Sequence, residues 1–146
     1  MSTFDQFCVL YVDQDSDSCE VLASMLRFSE IVVTCATTVQ EALDYARSIP
    51  VDLYLLANRF ADGDGVGLCR ALTALRPQTP VAFYTGDAGQ ADKKAGLTAG
   101  AVAYIAKPDF DAIISLIKKL KDRQPAPNPL TTVPWQIEFD QNSSRI

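Results

Sequence analysis

Five short apolar runs, separated by longer amphipathic stretches, constrain this chain more than any other feature of it. The runs lie at 7–12, 31–35, 52–57, 81–85 and 102–106. Each is nearly continuous in apolar character, as strands covered on both faces are. Between them, helical patterns are expected at about 16–28, 38–48, 64–75 and 88–99. A fifth helix is expected at about 109–122, where Phe110, Ile113, Ile114, Ile117 and Leu120 share one face. Strict β–α alternation implies a parallel sheet with right-handed crossovers and helices on both faces. The expected fold class is therefore α/β: a single doubly wound sheet of five parallel strands with five helices. In open sheets of this kind the site lies outside the carboxyl ends of the strands, where the strand order reverses.

Composition narrows the chemistry. At 146 residues and 48% hydrophobic, the chain can bury a core without disulfides or a structural metal. A net charge of -5 argues against nucleic acid or an anionic membrane surface as partner, since both need a basic field. No apolar run reaches the roughly 20 residues of a membrane helix. Met1-Ser2-Thr3-Phe4-Asp5-Gln6 lacks the regions of a signal peptide, so a cytoplasmic location is expected. The four cysteines, at 8, 19, 35 and 69, form no CxxC pair. Cys8 and Cys35 fall in apolar runs and read as small buried hydrophobes. Histidine is absent, which removes Ser-His and Cys-His nucleophiles, His-ligated zinc and histidine phosphotransfer.

The residues that end the strands carry the functional signal. The first run ends in Asp13-Gln14-Asp15, the third in Ala57-Asn58-Arg59, the fourth in Thr85-Gly86 and the fifth in Lys107-Pro108. Asp52-Leu-Tyr-Leu-Leu precedes the third turn, Asp64-Gly65 opens the third helix, and Ala99-Gly100-Ala101 precedes the fifth strand. In this order and spacing, over residues 6–122, the chain resembles the receiver domain of two-component response regulators. The resemblance implies the flavodoxin-like strand order 2-1-3-4-5. It also implies a phosphoacceptor aspartate after the third strand, an acidic pair after the first strand for Mg²⁺, and a Ser/Thr hydroxyl and a lysine on the phosphoryl oxygens. Thr85, Lys107 and Asp13 match that pattern. Gln14 replaces the second acid, and Ala57 occupies the acceptor position.

A methyl group has no lone pair to attack phosphorus. Asn58 and Ala61 also depart from the family pattern, so the expectation is a degenerate, pseudo-receiver form that is not an enzyme. With one of three carboxylates left, Mg²⁺ binding is expected to be weak or absent and no cofactor is expected. A signalling protein is the expected partner: a histidine kinase, a response regulator or an effector. A homodimer through the face of the fourth helix, fifth strand and fifth helix, which carries the switch aromatic Tyr104, is implied as well, and the C-terminal tail is a second expected route to a dimer. Two alternatives remain open. One is a phosphorylatable receiver using Asp62, Asp64 or Asp15 as a substitute acceptor. The other is a flavodoxin-like domain that binds a small ligand.

Blander readings account for the remaining motifs. Asp13-Gln-Asp15-Ser-Asp17 begins like an EF-hand loop but fails at Ser18 and Ser24. Gly63-Asp-Gly65-Val-Gly67 is not GxGxxG, and its glycines read as a loop needing positive φ. Asp17-Ser-Cys-Glu20 and Thr38-Val-Gln-Glu41 fit capping boxes. Arg59, two residues beyond Ala57, and Asp15 are expected as neighbours of the emptied pocket. Residues 123–146 read as a proline-rich extension, with prolines at 125, 127, 129 and 134. Within it, 131–140 alternate: Val133, Trp135, Ile137 and Phe139 face one way, the mark of a half-buried docking strand.

Overall fold

In the computed structural model the described residues are 6–27, 30–86 and 89–122. The extension at 123–146, with Val133, Trp135, Ile137 and Phe139, lies outside them. No helix among the described residues is long and apolar enough to cross a membrane. The described residues fall into two units, divided between Ile113 and Ile114.

The first unit runs β1 (Phe7–Val12), α1 (Ser16–Leu26), β2 (Ile31–Ala36), α2 (Val39–Ser48), β3 (Leu53–Leu56), β4 (Arg59–Phe60), β5 (Gly63–Asp64), α3 (Gly65–Leu75), β6 (Val81–Thr85), α4 (Gln90–Thr98) and β7 (Ala103–Ala106). It ends in the first turn of α5 (Phe110–Asp122). Five strands form one parallel sheet in the order β2-β1-β3-β6-β7. In that order the chain reverses direction across the sheet between β1 and β3, which places the switch point beside β1. Of the second unit, the described residues 114–122 continue α5, with Ile117 and Leu120 buried and Lys119 and Lys121 in the last turn.

The central strands β1, β3 and β6 form where the apolar runs predict them because both faces are covered, whereas the edge strands β2 and β7 are only partly buried, with Val32 exposed. Leu10 and Val12 of β1, Tyr54 and Leu56 of β3 and Phe83 of β6 pack with Ala42 and Ala46 of α2 and Leu68, Cys69 and Leu72 of α3. The intervening residues Val9, Tyr11, Leu53, Leu55, Ala82 and Tyr84 are buried too, and by the period of two they face the opposite side. Cys19, Leu22 and Leu26 are the buried stripe of α1. Asp52 stands just outside β3 rather than in it. Its carboxylate accepts the Cys8 amide at 2.8 Å, and its own amide donates to the Cys8 carbonyl at 2.8 Å.

Several local expectations change. The α1 N-cap is Asp15, two residues before the Asp17 expected, and it accepts from the Asp17 amide at 3.0 Å. A two-residue antiparallel hairpin, β4–β5, occupies the turn before α3. Gly65 is needed there for close approach rather than for positive φ: a Cβ at Gly65 would overlap the Ala57 carbonyl and lie 2.6 Å from the Phe83 ring. Cys35 is not an isolated hydrophobe, because it is disulfide-bonded to Cys19.

Candidate functional site

The carboxyl ends of β1, β3, β6 and β7 meet at one edge of the sheet. Backbone hydrogen bonds carry the ladder one residue past the strands. The Asp13 amide donates to Ala36, Ala57 to Val12 and Lys107 to Thr85, at 3.0, 2.9 and 2.9 Å. Asp13, Ala57 and Lys107 are thereby fixed in position by main chain alone.

Asp13 is 4% exposed, and a buried carboxylate must be paired and hydrogen-bonded. Its Oδ2 accepts from Lys107 Nζ at 2.6 Å and from the Tyr11 hydroxyl at 2.6 Å, and its Oδ1 accepts from the Asp15 amide at 2.9 Å. Lys107 also donates to Ser18 Oγ at 3.2 Å. Its ammonium stands 5.9 Å and 5.7 Å from the ring centroids of Tyr11 and Tyr84, within reach of a cation–π attraction. Burial, and then the Asp13 carboxylate, push the Tyr11 phenol far above its ordinary range. Burial, followed by the Asp109 and Asp13 carboxylates, raises that of Tyr84. Beside the ion pair, Asp15, Asp17, Ser18, Val21, Tyr84, Lys107, Pro108 and Phe110 line an open cavity of about 290 Å³.

Ala57 is 8% exposed and Thr85 4%, while Gln14 is exposed in the turn after β1. Arg59 is exposed on β4, opposite Asp64. Tyr104 is half-buried on β7 and stacks on Phe83 with centroids 5.2 Å apart. Asp15 and Asp64 are N-caps, and Asp62 receives the first amides of a helix remote in sequence. Asp15 caps α1, and Asp62 accepts from the Val39 and Gln40 amides of α2 at 2.9 and 3.1 Å. Asp64 accepts from the Gly67 amide of α3 at 2.8 Å. The two amides hold the Asp62 carboxyl below the usual carboxylate range.

Tyr11, Tyr84 and Ser18 belong to the site but are missed by sequence reasoning. A signal for Tyr11 was present: in a strand, a residue two before Asp13 points to the same face. Ser18 has no such signal, because its approach to Lys107 joins positions 89 apart in sequence.

The donor set does not fit a Mg²⁺ ion. Asp13 supplies the single carboxylate at the three receiver positions, and both of its oxygens are engaged by Lys107, Tyr11 and the Asp15 amide. Among the described residues, no group of three His, Cys, Asp or Glu side chains is placed to hold a metal.

Residues 9–118 match the family described as response regulator receiver domain, and the chain belongs to that family. The transcriptional regulatory protein ZraR of Escherichia coli K12 is 32% identical over 118 residues, covering 80% of this chain and 27% of ZraR. Response regulator ArlR of Staphylococcus epidermidis is 30% identical over 118 residues, 80% of this chain and 53% of ArlR. The chain thus spans about a quarter to a half of the curated relatives it matches. Among solved structures, a two-component response regulator from Clostridium difficile superposes with a TM-score of 0.78 at 25% identity, covering 83% of this chain and all of that one. A CheY-like receiver domain protein from Methanospirillum hungatei JF-1 gives 0.75 at 28% identity, covering 82% and 98%. The fold is the flavodoxin-like receiver fold.

Proposed function

We propose that this receiver domain is a pseudo-receiver, a signalling module that works through protein–protein contact and is not phosphorylated at position 57. The observation that carries the reading is Ala57 at the carboxyl end of β3, where the family places its phosphoacceptor. Supporting it, the Lys107 ammonium is neutralised by Asp13 instead of by a carboxylate at position 57. The three alternative acids are each engaged by helix-start amides, Asp15 at α1, Asp62 at α2 and Asp64 at α3, which lowers the nucleophilicity of their oxygens. The partner is a signalling protein such as a histidine kinase, another response regulator or an effector, and the working surface includes α4, β7 and Tyr104.

Intact-mass analysis after incubation with acetyl phosphate and Mg²⁺ tests the reading. No phosphoryl adduct is expected. A stoichiometric adduct mapped to Asp15, Asp62 or Asp64 overturns it in favour of a substitute acceptor. The Ala57→Asp variant is expected to label weakly, because Gln14 still occupies a metal position, and Gln14→Asp/Ala57→Asp to label more. Equal labelling of the two variants removes Gln14 from the account.

A further inference from the structure

The ion pair at the strand ends leaves one pair of reactive side chains unexplained. Cys19, in the first turn of α1, and Cys35, on the edge strand β2, are joined with their Cα atoms 6.1 Å apart. That separation lies inside the roughly 4.4–6.8 Å a disulfide spans without backbone movement. The two sulfurs differ in access: Cys19 is 3% exposed, whereas Cys35 is partly exposed. Cys8 and Cys69 are free thiols. Cys69 is buried and turned toward the Ala99 carbonyl at 3.7 Å, and burial raises both free thiols above their ordinary range. A raised thiol carries little thiolate at neutral pH and competes poorly in exchange.

Each half of the pair stands one step from the buried ion pair. Cys19 follows Ser18, whose Oγ accepts from Lys107 Nζ at 3.2 Å. Cys35 lies opposite Tyr11 in the β1–β2 register, and the Tyr11 hydroxyl donates to Asp13 Oδ2 at 2.6 Å. Opposed residues of parallel strands share a face, so the bond ties the start of α1 to the side of the sheet that carries Tyr11 and Asp13.

We propose that Cys19 and Cys35 form a reversible redox site that takes small-molecule disulfides of the glutathione class, and that its oxidation state sets the position of Ser18 against Lys107. In the oxidising direction, the Cys35 thiolate attacks one sulfur of the donor disulfide and releases the first donor thiol, leaving a mixed disulfide on Cys35. Cys19 then gives up its proton to solvent, and its thiolate attacks the Cys35 sulfur and displaces the second donor thiol. Two electrons and two protons pass from the cysteine pair to the donor, which is reduced to two thiols. Reduction runs the same exchange backwards. It frees the first turn of α1 from β2, loosening the Ser18–Lys107 contact while the Lys107–Asp13 pair persists. The inference does not depend on whether position 57 can be phosphorylated.

The test uses the full 146-residue chain equilibrated in glutathione buffers running from fully reduced to fully oxidised. It is then quenched in acid, alkylated under denaturing conditions and weighed. Four alkylated cysteines are expected at the reduced end and two at the oxidised end, with a Cys19–Cys35 cross-link in the peptide map. Four alkylated cysteines throughout, a glutathione adduct left on Cys8, or a bond between chains overturns the site. Reduction is also expected to lower Tm by roughly 5–10 °C, from the size of the loop the bond closes. The coupling is read by NMR. The Ser18 and Asp15 amides and the Lys107 side-chain signals shift on reduction, and addition of reductant moves none of them in Cys19→Ser/Cys35→Ser. A cross-link that forms while Ser18 and Lys107 stay unmoved overturns the coupling. Should the double variant fail to fold, the wild-type spectra with and without reductant decide the matter.

Discussion

Tyr11 and Lys107 share one oxygen of Asp13, each at 2.6 Å, so removing either partner leaves the carboxylate held by the other. A hydrogen bond to a charged group contributes about 1.5–3 kcal/mol. Lys107 still answers the Asp13 charge when the hydroxyl is removed, which places Tyr11→Phe at the low end. The expected loss is about 1.5 kcal/mol by urea denaturation with m unchanged; a loss below a few tenths would show that the hydroxyl bond is idle. The same phenol predicts a pH effect. Tyr11, Tyr54 and Tyr84 are all raised by burial, so the fold holds them protonated. The stability this contributes is complete below the ordinary tyrosine value of about 10 and is lost as pH rises through the folded values. In an alkaline titration followed by tyrosinate absorbance, three of the five tyrosines should ionise only as the chain unfolds. Ionisation of all five in one step near the ordinary value would contradict the burial described.

Turn residues hold the starts of two helices in place: Asp62 at α2 and Asp64 at α3. Asp62 is fully exposed, yet two amides of α2 converge on it. Asp62→Ala should therefore speed hydrogen exchange at Val39 and Gln40 several-fold while leaving the β3 amides protected. Because the Asp62 carboxyl is held low, this support is present above the usual carboxylate range and is lost as pH falls through the depressed value. Gly65→Ala puts a methyl into the Ala57 carbonyl and the Phe83 ring. By the cost of overpacking, it should destabilise the domain by about 1–3 kcal/mol in a thermal melt, and an unchanged Tm would mean that the turn gives way freely. These turns were the least legible part of the sequence. A strand of two residues, such as β4, is too short to show any period. Asp15 and Asp17 are equally good capping residues by type, so backbone geometry alone decides between them.

The sheet was legible for the opposite reason. Strands such as Leu53–Leu56 and Val81–Thr85 are buried on both faces, which leaves a continuous apolar run that neither a loop nor a surface helix would carry. Their order is not written in periodicity; it followed from the resemblance carried by Asp13, Thr85 and Lys107 at the strand ends. Contacts between distant positions, Lys107 with Ser18 and Cys19 with Cys35, left no mark that pattern or propensity could reveal, because each residue is ordinary in its own segment. One such long-range tie bears on how the molecule transmits force. The hairpin from Arg59 to Asp64 grips α2 through Asp62 and begins α3 through Asp64. It acts as a yoke between two helices on the same side of the sheet. A protein that pulls on α2 from outside therefore has a hydrogen-bonded route, through Asp62 and Asp64, to the start of α3 and the backbone beside Ala57. A shove applied at the surface can reach the strand ends by leverage alone, with no chemical event at the pocket to set it off.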